Sequence, residues 1–77
     1  MPYVKPHIRK HLQVYLPADP GELAYVLMTT VLKYVGGNPT FSRYAEALGV
    51  LEAIKLELYR RQIAPYEDAK MLENGDV

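Results

Sequence analysis

Glu52 and Lys55 stand three residues apart, and Tyr59 follows four residues later. On a helix, that spacing sets a carboxylate, an ammonium and a phenol along one side. These are the groups of a proton-transfer site or a ligand pocket. Phe41, Leu48 and Ile63 flank them, and charge inside an apolar arc is costly unless it is paired. The spacing predicts a buried polar pair that is satisfied within the chain, lies at an oligomer interface or lines a site, first as an ion pair that fixes helix register and second as a catalytic or ligand-binding group. His7 and His11 have the i,i+4 spacing of two metal ligands on one helical face. Ile8 stands where the metalloprotease motif needs a Glu, and the neighbouring Arg9 and Lys10 would repel a cation. Surface histidines are expected, with no metal. Glu46, Glu52 and Glu57 are followed three residues later by Gly49, Lys55 and Arg60, so the repeated Glu-x-x-Glu or Glu-x-x-His of di-iron bundles is not met. The chain has one serine, Ser42, and neither GxGxxG nor GxSxG. No catalytic residue and no cofactor are expected, and enzyme is the weakest class.

Tyr44-Ala45-Glu46-Ala47-Leu48-Gly49-Val50 resembles the Ala-x-x-x-Gly turn of a helix-turn-helix, with Lys55, Arg60 and Arg61 placed to follow on a recognition helix. The run after Gly49 lacks a polar N-cap, and Lys55 falls where that motif needs a buried aliphatic residue. A continuous helix explains the same residues better. In it Ala45, Gly49 and Ala53 recur every fourth position, a small-residue stripe on which another helix can approach closely.

The elements that carry these residues are helical. Lys5 to Leu16 has Ile8, Leu12 and Tyr15 at helical spacing, with Pro6 in its first turn and Pro17 as its stop. Asp19-Pro20 with Glu22 is an N-cap, a first-turn proline and a capping-box acid. Leu23, Val26, Leu27, Thr30, Val31 and Tyr34 then recur at the helical period until Gly36. Tyr25, Met28 and Leu32 make this helix apolar on further faces. A long helix runs from about Thr40 or Ser42 to Ile63, with Tyr44, Ala47, Leu48, Leu51, Ile54 and Leu58 on one face. Glu57 and Arg61 are spaced for an i,i+4 ion pair. Pro65 interrupts the helix, and Tyr66 to Asn74 forms a last short one before Gly75.

Seventy-seven residues with 49% apolar and 23% charged side chains make a single small globular domain over residues 1–77. With no cysteine, disulfides and thiolate metal sites are excluded. Nine basic and nine acidic side chains cancel, so no global field draws the chain to nucleic acid or an anionic membrane. The charge is uneven: Lys5, Arg9 and Lys10 lie near one end, and Glu67, Asp68, Glu73 and Asp76 near the other. The two ends can meet within a chain or across a dimer, although solvated charge is the commoner reading. No apolar run is long enough to span a bilayer and no signal peptide is expected, which leads to a cytoplasmic protein. Seven tyrosines against one Phe and no Trp suit surfaces both apolar and wet, and equally a core in which each hydroxyl finds a partner.

Leu56-Glu57-Leu58-Tyr59-Arg60-Arg61, Ala64-Pro65-Tyr66-Glu67-Asp68 with Lys70, and Glu73-Asn74-Gly75-Asp76-Val77 resemble the signature of a family of small uncharacterised bacterial and phage proteins. Met1-Pro2-Tyr3, Pro20-Gly21-Glu22-Leu23 and Gly49-Val50-Leu51-Glu52 extend the resemblance over most of the chain. It implies a bacterial or phage origin and brings no activity with it. Within that signature, Arg60, Arg61, Tyr66, Glu67, Asp68 and Lys70 bracket Pro65. They are expected either to cap the last helix and pair carboxylates with arginines, or to form a surface for a partner protein.

The expected fold is all-α: a helical hairpin of two main helices with short helices at both ends, completing a bundle by self-association. The expected function is a small non-enzymatic interaction protein, most simply a homodimer, with a further protein partner possible. A helix-turn-helix-like nucleic-acid-binding regulator is the alternative.

Overall fold

A computed structural model describes residues 4–10, 12 and 15–76. The chain is all-α. Helix α1 spans Pro6–Arg9, α2 Pro20–Val35 and α3 Phe41–Leu58; a π-helical turn, Tyr59–Ile63, leads directly into α4, Ala64–Asn74. The described residues contain no strand.

Helix α1 is shorter than the spacing of Ile8, Leu12 and Tyr15 predicts. Pro6 takes the first helical position, where its missing N–H costs nothing, but regular structure ends at Arg9. Leu12 sits in a bend, while Tyr15 and Leu16 are non-helical. His11, Gln13 and Val14, part of the expected helix, lie outside the described residues. The Arg9 guanidinium folds back instead, donating from Nε to the Val4 carbonyl at 2.8 Å.

Helix α2 begins as its residues dictate. The Glu22 N–H donates to Asp19 Oδ1 at 2.8 Å, and Glu22 Oε1 accepts from the Ala18 N–H at 3.0 Å. Two amide donors that the helix cannot satisfy internally are thereby met, the second one residue ahead of the N-cap. At the far end Gly36 takes φ 87°, ψ 177° and donates its N–H to the Leu32 carbonyl. An L side chain would be strained there, so glycine ends the helix. Thr40 starts α3: its Oγ1 accepts from the Arg43 N–H and its carbonyl from the Tyr44 N–H, both at 3.2 Å.

Pro65 does not interrupt the long helix. The Ala64 N–H donates to the Tyr59 carbonyl, five residues back rather than four. Proline has no N–H to give and its ring crowds the carbonyl four residues earlier, so a regular α-turn would be broken there. The π turn widens that carbonyl row and lets the helix pass through to α4.

The chain divides into two compact units, Pro2–Leu48 and Gly49–Val77. In the first, the end of α2 meets the start of α3 across the Gly36–Thr40 loop. Tyr34 donates its hydroxyl to Glu46 at 2.9 Å, and the Arg43 guanidinium lies over the Tyr34 ring, 4.8 Å from its centre. Val35 and Ala47, 7% and 8% exposed, are the buried apolar residues among those described. In the second unit, no described residue is buried.

Candidate interaction surface

Leu23, Leu27 and Tyr34 on one face of α2, and Tyr25, Met28 and Leu32 on others, are all exposed. Val26 and Val31 are half-buried. The all-round apolar pattern of this helix is real, but in its own unit it is uncovered over most of its circumference. On α3, Phe41, Tyr44 and Leu48 are exposed in the same way.

In the second unit, Leu51, Ile54, Leu58, Ile63 and Tyr66 are between 36% and 64% exposed. On a regular α-helix at about 100° per residue, Ile63 and Tyr66 would swing off the line of the first three. Arg61 and Gln62 would take that line instead. The π turn skips one residue and puts Ile63 and Tyr66 back on it. Periodicity alone stops the stripe at Leu58. The available signal was a five-residue apolar step, Leu58 to Ile63, just before a proline.

The Tyr59–Glu67 contact reports the same phase. From the first residue of the π turn to one eight positions on in α4, the Tyr59 hydroxyl donates to Glu67 Oε1 at 3.2 Å. That bond raises the Tyr59 pKa, with the Glu67 and Asp68 charges adding to it, because each favours the protonated phenol.

The Glu52–Lys55 pair forms, Oε1 to Nζ at 3.6 Å, but it is not buried. The side chains are 59% and 74% exposed. The expected apolar cover is absent from this unit, so both charges stay in solvent. Tyr59 turns to Glu67 and does not complete the pair. The cluster around Pro65 is also arranged differently from expectation. Arg60 and Arg61 reach back to Glu57, at 3.1 and 3.7 Å, rather than forward to Glu67 or Asp68. Residues three and four apart on one helix are already neighbours, so the backward pairing costs the least side-chain entropy. The Glu57–Arg61 pair is as its spacing predicts. The hydrogen bond from Arg60 holds the Glu57 pKa below the ordinary carboxylate value, against a smaller opposing effect of desolvation. Lys70 pairs with Glu73 at 3.6 Å and lies over the Tyr66 ring at 5.7 Å. With α4 continuing from the π turn, Glu67 and Asp68 have no free helix start to cap.

Gly49 lies inside unbroken α3, so no helix-turn-helix turn forms there. The close approach expected on Ala45, Gly49 and Ala53 is not made either. Ala45 and Gly49 are exposed, Ala53 is half-buried, and a Cβ at Gly49 would meet nothing within 4 Å. Among the described residues no cluster of three His, Asp or Glu side chains could hold a metal ion, and no helix is long and apolar enough to cross a membrane. His11 falls outside them.

No curated protein and no solved structure matches the chain. A family model does, that of a domain of unknown function, DUF6899, over residues 1–77. This chain therefore belongs to the DUF6899 family.

Proposed function

We propose that this chain is a small, non-enzymatic helical interaction protein whose first partner is a second copy of itself. The observation that carries the reading is the exposed apolar stripe of the Gly49–Val77 unit, in which no described residue is buried. Apolar side chains left in water forgo roughly 1.5–3 kcal/mol each, and covering several of them is the main favourable term in association. Zero net charge supports a like partner, since two copies do not repel as bodies. The opposite charge of the two chain ends adds to this, because each end complements the other in a second copy. Light scattering over a concentration series tests it: twice the chain mass is expected at micromolar concentration. A single-chain mass at high micromolar concentration overturns the reading.

A further inference from the structure

We infer that the Tyr59–Ile63 π turn, held by Pro65, is a phasing device that makes the Leu51–Tyr66 stripe self-complementary for antiparallel pairing with a second copy. This rests on the self-association proposed above and names the surface and the orientation. The stripe residues Leu51, Ile54, Leu58, Ile63 and Tyr66 are spaced by three, four, five and three residues. The five-residue step is the π turn, which covers about one helical turn as a four-residue α step does. Measured in turns, the pattern therefore reads the same in both directions from Leu58. Antiparallel pairing of one stripe on itself uses that property, because each residue then meets the residue equally far from the two-fold axis on the second copy. Leu51 would face Tyr66 of the second copy, Ile54 would face Ile63, and Leu58 would face itself.

The charges beside the stripe agree. Glu57 and Arg61 are on one flank, joined at 3.7 Å, and stand on opposite sides of Leu58 along the helix. In an antiparallel pair like flanks face each other, so Glu57 of one copy stands beside Arg61 of the other. Glu57 is also the most shielded of the paired charged side chains, 23% exposed. A parallel pair would place Glu57 against the opposite flank, which carries Glu52 and Lys55, and part it from Arg61.

Two full-length variants test the inference against wild type. Pro65→Ala restores the missing N–H and lets the turn relax to α, which rotates Ile63 and Tyr66 off the stripe and brings Gln62 onto it. Removal of Gln62 combined with Pro65→Ala yields a regular helix with the stripe again in line. By sedimentation equilibrium, Pro65→Ala is expected to weaken self-association at least about tenfold, the loss expected from uncovering a single large apolar side chain. The deletion variant is expected to return to within about threefold of wild type, with circular dichroism showing both to be as helical as wild type. Wild-type affinity in Pro65→Ala, or no recovery in an equally helical deletion variant, overturns the inference. Should wild type itself be monomeric, the self-association reading fails, and the phasing is read separately by NMR. The Tyr59–Glu67 side-chain contact is expected in wild type, lost in Pro65→Ala and restored by the deletion. Its persistence in Pro65→Ala overturns the phasing itself.

Discussion

Glu57 is the residue on which the local electrostatics converge, with Arg60 and Arg61 both drawn to it. Its pKa is lowered in the folded chain, so its contribution to stability is present above the ordinary carboxylate range. The contribution is lost as pH falls through the lowered value. Urea melts between neutral and acid pH are expected to show that loss in wild type and a smaller one in Glu57→Gln. For Tyr59 the sign is reversed. Its raised pKa contributes below the ordinary phenol value, and the contribution disappears as alkaline pH passes the folded one. Glu52 and Lys55 are expected to matter little, each change to Ala costing within about 0.5 kcal/mol in a chemical melt, as for other exposed pairs. A cost of several kcal/mol from either would mean that the pair is covered in the assembled protein. Gly49→Ala is expected to stabilise by up to about 1 kcal/mol, since a mid-helix glycine gains propensity and the added methyl meets nothing. Destabilisation would instead place a helix against that stripe. The residue scale was the least legible in the sequence. The types and spacings of Glu52, Lys55 and Tyr59 were plain, but a helical wheel says which residues share a face and not what covers it.

Element boundaries were read more readily, because they are written in short-range chemistry. Asp19-Pro20-Gly21-Glu22 names its own helix start, and Gly36 and Gly75, both at positive φ, name two ends. Asp19→Ala is expected to cost about 1 kcal/mol, read as a lowered urea midpoint with unchanged slope. Pro65 shows why such reading fails. Proline ordinarily stops a helix, and that rule is local. Continuing through it takes a π turn, and the turn also brings Ile63 and Tyr66 back into phase with Leu51, Ile54 and Leu58. That is information at a separation of fifteen residues. The amino-terminal helix failed for the opposite reason. Ile8, Leu12 and Tyr15 have helical spacing, yet a periodic stripe holds a short helix only when something packs on it, and Ile8, Leu12 and Tyr15 are all exposed.

For the whole molecule, an all-α class was legible because helix-favouring residues, caps and the absence of alternating runs agree with one another. How the apolar faces are covered was not, since a face that packs within a chain and one that packs on a second copy have the same sequence pattern. The account therefore stands on association. If two copies share one core, folding is linked to mass action and the melting temperature must rise with protein concentration. Wild-type chain melted at concentrations spanning two orders of magnitude, with light scattering at each, is the most direct test. The account predicts a dimer mass at the upper concentrations and a melting temperature that climbs throughout the series. A single-chain mass with one unchanging melting temperature would contradict it.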